Sequence, residues 1–181
     1  MEVQDWGGGL TAHEVAAIEK MKQTFSNKQQ NKPLKDFKEL KSIFPWKGYS
    51  GFRFADVRER KEGEFDLVVV THCNVLIVEL KHWNNEPVTN NGLHWYKGKQ
   101  DMGYSPVEIT RKKIYLLKKK LEEFRGKFSN STDKFPVPRI EFLVVMTGNS
   151  DFSKLSDKEK MHVINLDDFL ELADNKKFTE Q

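Results

Sequence analysis

Asp66, Glu79 and Lys81 are the residues whose types and spacing best suit a chemical reaction. They lie in EFDLVVVTHCNVLIVELK, residues 64–81, a stretch whose apolar content otherwise suits buried sheet. Desolvating an ionised group costs several kcal/mol, so charges in such a stretch require compensation. If the chain turns about the midpoint between His72 and Cys73, as the symmetric apolar pattern suggests, Asp66 faces Glu79 with β-carbons ~5 Å apart. Period-two alternation places Lys81 on the same face as Glu79. Two facing carboxylates repel, and a divalent cation reverses that sign. Mg²⁺ is held by one or two carboxylates together with waters and phosphate oxygens. An ammonium beside it can orient an attacking water or stabilise charge that builds on a phosphate. The same three residues also suit a plain ion-pair set near solvent, with Lys81 neutralising both acids.

Glu14 is a third candidate acid. In LTAHEVAAIEKMKQTF, Val15, Ile18, Met21 and Phe25 recur at helical spacing. Ile18, Met21 and Phe25 lie within about 40° of the direction of Glu14, which therefore projects from the apolar stripe. Thr11 and Glu14 also have the spacing of a capping box, so a local structural role and a site role are both open.

Around these residues the pattern predicts a helix at 10–25, then a polar loop at 27–36 broken by Pro33. GFRFADVRER is a strand with one wet face, strands at 64–71 and 74–81 form the hairpin, and GLHWYKG is a short strand. SPVEITRKKIYLLKKKLEEF is a helix opened by Pro106, with a stripe of Val107, Ile114, Leu117, Leu121 and Phe124. RIEFLVVMTG is a strand and NLDDFLELAD a closing helix. The order predicts an α/β fold: a mixed central sheet with a β-hairpin core, flanked by helices.

Arg111, Lys112, Lys113, Lys118, Lys119 and Lys120 surround the stripe of the second helix. They suit either a solvated helix face or a phosphate-contacting surface. Trp83, Trp95 and Tyr96 suit base stacking, although packing beside a sheet is the ordinary use of such rings. Histidines 72, 82 and 94 lack zinc-ligand spacing.

A chain of 181 residues fits one domain without disulfide or structural metal. The single cysteine, Cys73, forms no internal disulfide. The net charge is only +3, from 30 basic and 27 acidic residues, so charge distribution matters more than total for any polyanionic partner. No apolar run reaches the length of a membrane span, and the amino terminus lacks signal-peptide character, which points to the cytoplasm. P-loop, G-x-S-x-G and dinucleotide fingerprints are absent from the sequence.

The early helix with Glu14, the segment EFDLVVVTHCNVLIVELKHW, Gly92 to Trp95 and SPVEITRKK together resemble the NERD (nuclease-related) domain family, over about residues 10–170. The fold of that family is similar to the PD-(D/E)xK nucleases, so a restriction-endonuclease-like core is expected. The resemblance implies Asp66 and Glu79 as ligands of Mg²⁺ or Mn²⁺, with the main-chain carbonyl of Leu80 as a further ligand. It implies Lys81 as catalytic lysine and Glu14 as the helix-borne acid supporting the metal or its water. The implied activity is hydrolysis of nucleic acid, most readily DNA, with Arg111, Lys112, Lys118 and Thr110 as contacts. The alternative is a non-catalytic module binding nucleic acid or a partner. Similar domains are attached to helicases or kinases in bacteria, so the chain is expected to be one domain or one module of a longer protein. One departure stands out. The family opens the downstream helix with Asn-Pro and soon places a Gln, whereas here Ser105 and Pro106 are followed by Val107, Glu108, Ile109 and Thr110. Either Thr110 substitutes for the glutamine, or the site is weakened.

Overall fold

The computed structural model describes residues 1–30, 46–56, 61–71, 74–127 and 137–172. Along the chain come β1 (Glu2–Asp5), α1 (Ala12–Gln30), β2 (Lys47–Asp56), β3 (Lys61–Val70), β4 (Asn74–Lys81), β5 (Val88–Asn91), β6 (His94–Lys97) and β7 (Gln100–Tyr104). These are followed by α2 (Pro106–Glu123), β8 (Arg139–Met146), α3 (Asp157–Lys160), β9 (Val163–Asn165) and α4 (Leu166–Glu171). The main sheet runs β1-β2-β3-β4-β8-β9, and β5-β6-β7 form a separate three-stranded sheet. It is the mixed, helix-flanked sheet that the element order predicts.

β4 occupies the middle, antiparallel to β3 and parallel to β8. A strand enclosed on both faces needs a continuous apolar run rather than alternation, and NVLIVELK is buried at every position except its two ends. On one face Leu76, Val78 and Leu80 pack with Ile18, Met21 and Phe25 of α1 and with Phe169 and Leu170 of α4. On the other, Ile77 packs with Val68, Val144, Trp95 of β6 and Val107 of α2.

Several boundaries differ from the sequence expectation. α1 continues to Gln30, so residues 27–30 are helical rather than loop, while 31–36 lie outside the described residues. Val15 is exposed, and Ala17 takes its place in the buried stripe. Phe124 is likewise exposed, because α2 ends at Glu123 and the chain turns away into a short 3-10 turn at Arg125–Lys127. β1, β5, β7, β9 and α3 have no strong periodic signal, being three to five residues each. Residues 57–60 of the strand expected at GFRFADVRER, and the turn residues His72 and Cys73, lie outside the described residues. Among the described residues, no helix is long and apolar enough to cross a membrane.

α2 is anchored at its start by a buried polar cluster. Ser105 Oγ accepts the Glu108 N–H at 3.2 Å as N-cap and donates to Glu159 Oε2 at 2.6 Å. The indole N–H of Trp95 donates to the same oxygen at 3.0 Å. Glu159 is thus satisfied by two donors although it is buried, and α3, β6 and α2 are tied together at one point.

Candidate active site

The site is built where β3 and β4 part. Their ladder runs from Val70↔Val75 to Leu67↔Val78, in the register that the symmetric apolar pattern predicts. One residue further, Asp66 Oδ2 accepts the Leu80 N–H at 2.7 Å, so a side chain takes the place of the next main-chain bond. β3 also changes faces here. Leu67 and Val69 pack on the α1 side, but Phe65, two residues before Leu67, packs on the α2 side. Regular alternation would keep all three together.

The change of face is matched across the sheet at Gly51. This residue sits between the pairs Ser50↔Leu67 and Phe52↔Phe65, opposite Asp66, with φ of +59°. Its carbonyl accepts the Gly8 N–H at 2.8 Å, and a Cβ on Gly51 would stand 2.7 Å from the Gly8 oxygen. Only glycine meets both demands.

Glu79 is 6% exposed and has both carboxylate oxygens engaged. Oε1 accepts from the Lys81 ammonium at 2.9 Å, and Oε2 from the Lys113 ammonium of α2 at 2.5 Å. Burial works to raise the pKa of Glu79, but the two ammoniums outweigh it, and the carboxyl is held below its ordinary value. Asp66 goes the other way. Burial first, then the charge of Glu79, push it up to about 6, against the Leu80 N–H and the two lysines. Burial works to lower Lys81, yet Glu79 and Asp66 raise it above its ordinary value, with a smaller contribution from Glu14. Two carboxylates and two ammoniums thus form one mutually dependent cluster, with opposite shifts on the two acids.

A family model for the nuclease-related domain (NERD) matches residues 27–147, about two thirds of the chain. The chain belongs to the nuclease-related domain family. No curated protein and no solved structure matches it. The matched span includes Asp66, Glu79, Lys81 and Lys113 but stops short of Glu14, and is narrower than residues 10–170.

In this nuclease-related domain Glu14 is not assembled with the other two acids. Its Oε2 accepts the Thr11 N–H at 2.7 Å, and Thr11 Oγ1 accepts the Glu14 N–H at 3.4 Å, so the capping-box role is realised. Its reach into the cluster is the electrostatic effect on Lys81. Among the described residues no group of three or more His, Cys, Asp and Glu side chains is placed to hold a metal.

Thr110, expected as a nucleic-acid contact or a stand-in for the glutamine, presents no surface to solvent. It is fully buried, and its hydroxyl donates to the Pro106 carbonyl at 2.7 Å. Arg111 is partly committed, with Nη1 at 2.7 Å from Glu108 Oε1 and its guanidinium over the Phe142 ring. Lys112 and Lys118 are exposed, as a phosphate-contacting role requires. Trp95 is fully buried and offers no face to a base, while Trp83, partly buried, meets it in a T-shaped contact. His82 is turned from Lys81, stacked on His13 and bonded to Thr147 and Asn84, while His94 pairs with Asp101. His72 lies outside the described residues.

Lys113 is the site residue that sequence reasoning missed. The sequence groups it with the basic surface of α2, but it follows Thr110 by three and precedes Leu117 by four, which places it at the edge of the buried stripe. A cation on that edge was the available signal.

The donor set suits a hard divalent cation. Asp66 and Glu79 supply carboxylates, and the Leu80 carbonyl lies on the same strand edge as its N–H, facing Asp66, because residues alternate edges and the neighbouring Lys81 carbonyl bonds Thr147 of the β8 side. Oxygen ligands of this kind are those of Mg²⁺ and Mn²⁺. The Lys113 ammonium shows that positive charge is favoured at Glu79 Oε2.

Proposed function

We propose that this domain is a Mg²⁺- or Mn²⁺-dependent phosphodiester hydrolase acting on nucleic acid, with DNA as its substrate. The observation that carries the reading is the near-complete burial of Glu79 between two lysines, at the point where β3 and β4 part around Asp66. A buried charged cluster of this composition in a family defined by its relation to nucleases is best explained by reaction chemistry.

In this reading Asp66, Glu79 and the Leu80 carbonyl hold the cation, which when bound supplies polarisation of a phosphate oxygen. Lys81 keeps its proton at neutral pH because its pKa is raised. It therefore acts by donating, orienting a water or stabilising charge on the phosphate, and not by taking a proton. Lys113 supplies a second positive group from α2. Glu14 adds its field at Lys81 from the start of α1. The reading takes the chain as one cytoplasmic domain, able to work alone or joined to a helicase or kinase.

The test is a cleavage panel of linear and supercoiled duplex, single-stranded DNA and RNA, with Mg²⁺, Mn²⁺ or EDTA, beside the Glu79→Ala variant. Cleavage that requires metal and disappears in the variant supports the reading. Wild-type cleavage by the variant overturns it.

A second reading has its own observation. Both oxygens of Glu79 are already engaged by lysines, so the cluster is charge-balanced without a metal. A binding module for nucleic acid or a partner would have no further need of one. Salt-dependent DNA binding that survives both EDTA and Glu79→Ala, with no cleavage of any substrate, would favour it.

A further inference from the structure

Tyr115 stands on the solvent side of α2 with 70% of its surface exposed. It is the ridge between two cavities. On one flank Ile109, Lys112 and Lys113 face Gly63 and Glu64 of β3 across a cavity of about 550 Å³. On the other, Arg111, Ile114 and Lys118 face the residues leading into β8 across a cavity of about 700 Å³. Tyr115 lines both.

An exposed tyrosine alone means little. Its company is the informative part. Lys112 precedes it by three residues and Lys118 follows by three, so both are its neighbours on the helix surface, each ~4.5 Å away along the axis. A free aromatic face bracketed by cations is what an unpaired strand requires, since its bases stack on rings while its phosphates meet Lys or Arg. A duplex keeps its bases stacked on one another and has no use for the ring. An acidic peptide would use the cations and leave the ring idle.

We propose that the α2 ridge binds single-stranded nucleic acid, with Tyr115 stacking on an unpaired base and Lys112 and Lys118 contacting the backbone on either side. Lys113, whose ammonium touches Glu79, is among the residues lining the first cavity, which sets the ridge beside the charged cluster. The proposal rests on the preceding reading for its choice of nucleic acid as ligand, but not for cleavage.

The experiment is fluorescence anisotropy of wild-type protein in EDTA with a labelled oligothymidylate and with a labelled duplex of equal length, beside Tyr115→Ala, Tyr115→Phe and Lys118→Ala. Tyr115→Ala should weaken single-strand binding about ten-fold, Tyr115→Phe should retain it, and duplex binding should be equal in wild type and Tyr115→Ala. Lys118→Ala should reduce the slope of log affinity against log salt by about 0.7. Wild-type affinity of Tyr115→Ala for oligothymidylate would overturn the proposal, as would an equal loss on duplex or no binding of oligothymidylate at all. Because no cleavage occurs in EDTA, single-strand binding through Tyr115 without hydrolysis in the metal panel would sink the hydrolase reading alone. Hydrolysis with Tyr115→Ala indistinguishable from wild type in binding would sink this one alone.

Discussion

Lys113 of α2 and Glu79 of β4, 34 residues apart in sequence, meet through an ammonium–carboxylate contact of 2.5 Å between largely enclosed side chains. The helix that follows the small sheet is thereby tied to the central strand at the site itself. Because Lys113 supplies positive charge at Oε2, it competes with any other cation there. Lys113→Ala is expected to strengthen Mn²⁺ binding while lowering stability by about 1–3 kcal/mol, since Glu79 stays buried with one partner fewer. Titration calorimetry with Mn²⁺ and urea denaturation measure the two effects. Mn²⁺ affinity equal to or weaker than wild type would show that Lys113 does not compete for the position.

Asp66 gives the pH dependence a definite sign. Its folded pKa of about 6 is above the ordinary carboxyl value of 3.8, so between those values the folded protein binds the proton more tightly than the unfolded chain. The stability it contributes is therefore fully present below pH 4 and lost as pH rises to 6. Glu79, with a lowered pKa, contributes in the opposite direction, losing stability as pH falls below its ordinary range. Asp66→Asn should stabilise the protein at pH 7 by on the order of 2 kcal/mol, and the gain should vanish at pH 4. Mn²⁺ binding by wild type should weaken below pH 6, where Asp66 is protonated. Equal destabilisation by Asp66→Asn at both pH values would refute the assignment.

Ser105 has two roles at once, as N-cap of α2 and as donor to the buried Glu159. Ser105→Ala removes a cap, worth about 1 kcal/mol, and one of the two donors on a buried carboxylate, worth about 1–3 kcal/mol. The expected cost is about 2–4 kcal/mol in urea denaturation. Ser105→Thr retains both hydrogen-bonding capacities and should recover part of the loss. If Ser105→Ala cost no more than an exposed cap, the link to Glu159 would contribute nothing.

How much of this was legible in the sequence follows from the range of the interactions concerned. The hairpin register was readable because the apolar runs LVVV and VLIV stand symmetrically about a short turn, so closing the turn pairs them along their whole length. α2 was readable from Pro106 and its stripe. Of the small sheet, β6 was readable from GLHWYKG, but β5 and β7 were not, being only four and five residues long. Glu14 was placed on the correct face of α1, yet direction alone does not carry a carboxylate to a site when a local N–H is within its reach. Lys113 was hidden among basic residues, since its partner lies on another element.

Gly51 offers the sharpest separation of backbone strain from contact. Its φ of +59° equals that of Gly92, but a Cβ at Gly92 meets nothing within 4 Å, while at Gly51 it meets the Gly8 oxygen at 2.7 Å and the Gly8 nitrogen at 3.1 Å. A left-handed conformation costs a residue with a side chain about 1–2 kcal/mol, so Gly92→Ala should lose about that much and leave Mn²⁺ binding unchanged. Gly51→Ala adds a collision with backbone that cannot turn aside. It should cost more than Gly92→Ala in urea denaturation and weaken Mn²⁺ binding too, because the bend at Gly51 lies opposite Asp66 and accompanies the change of face that brings its carboxylate to Leu80. Equal stability losses in the two variants would show that the Gly8 contact yields freely. Intact Mn²⁺ binding in Gly51→Ala would show that Asp66 is positioned by β4 alone.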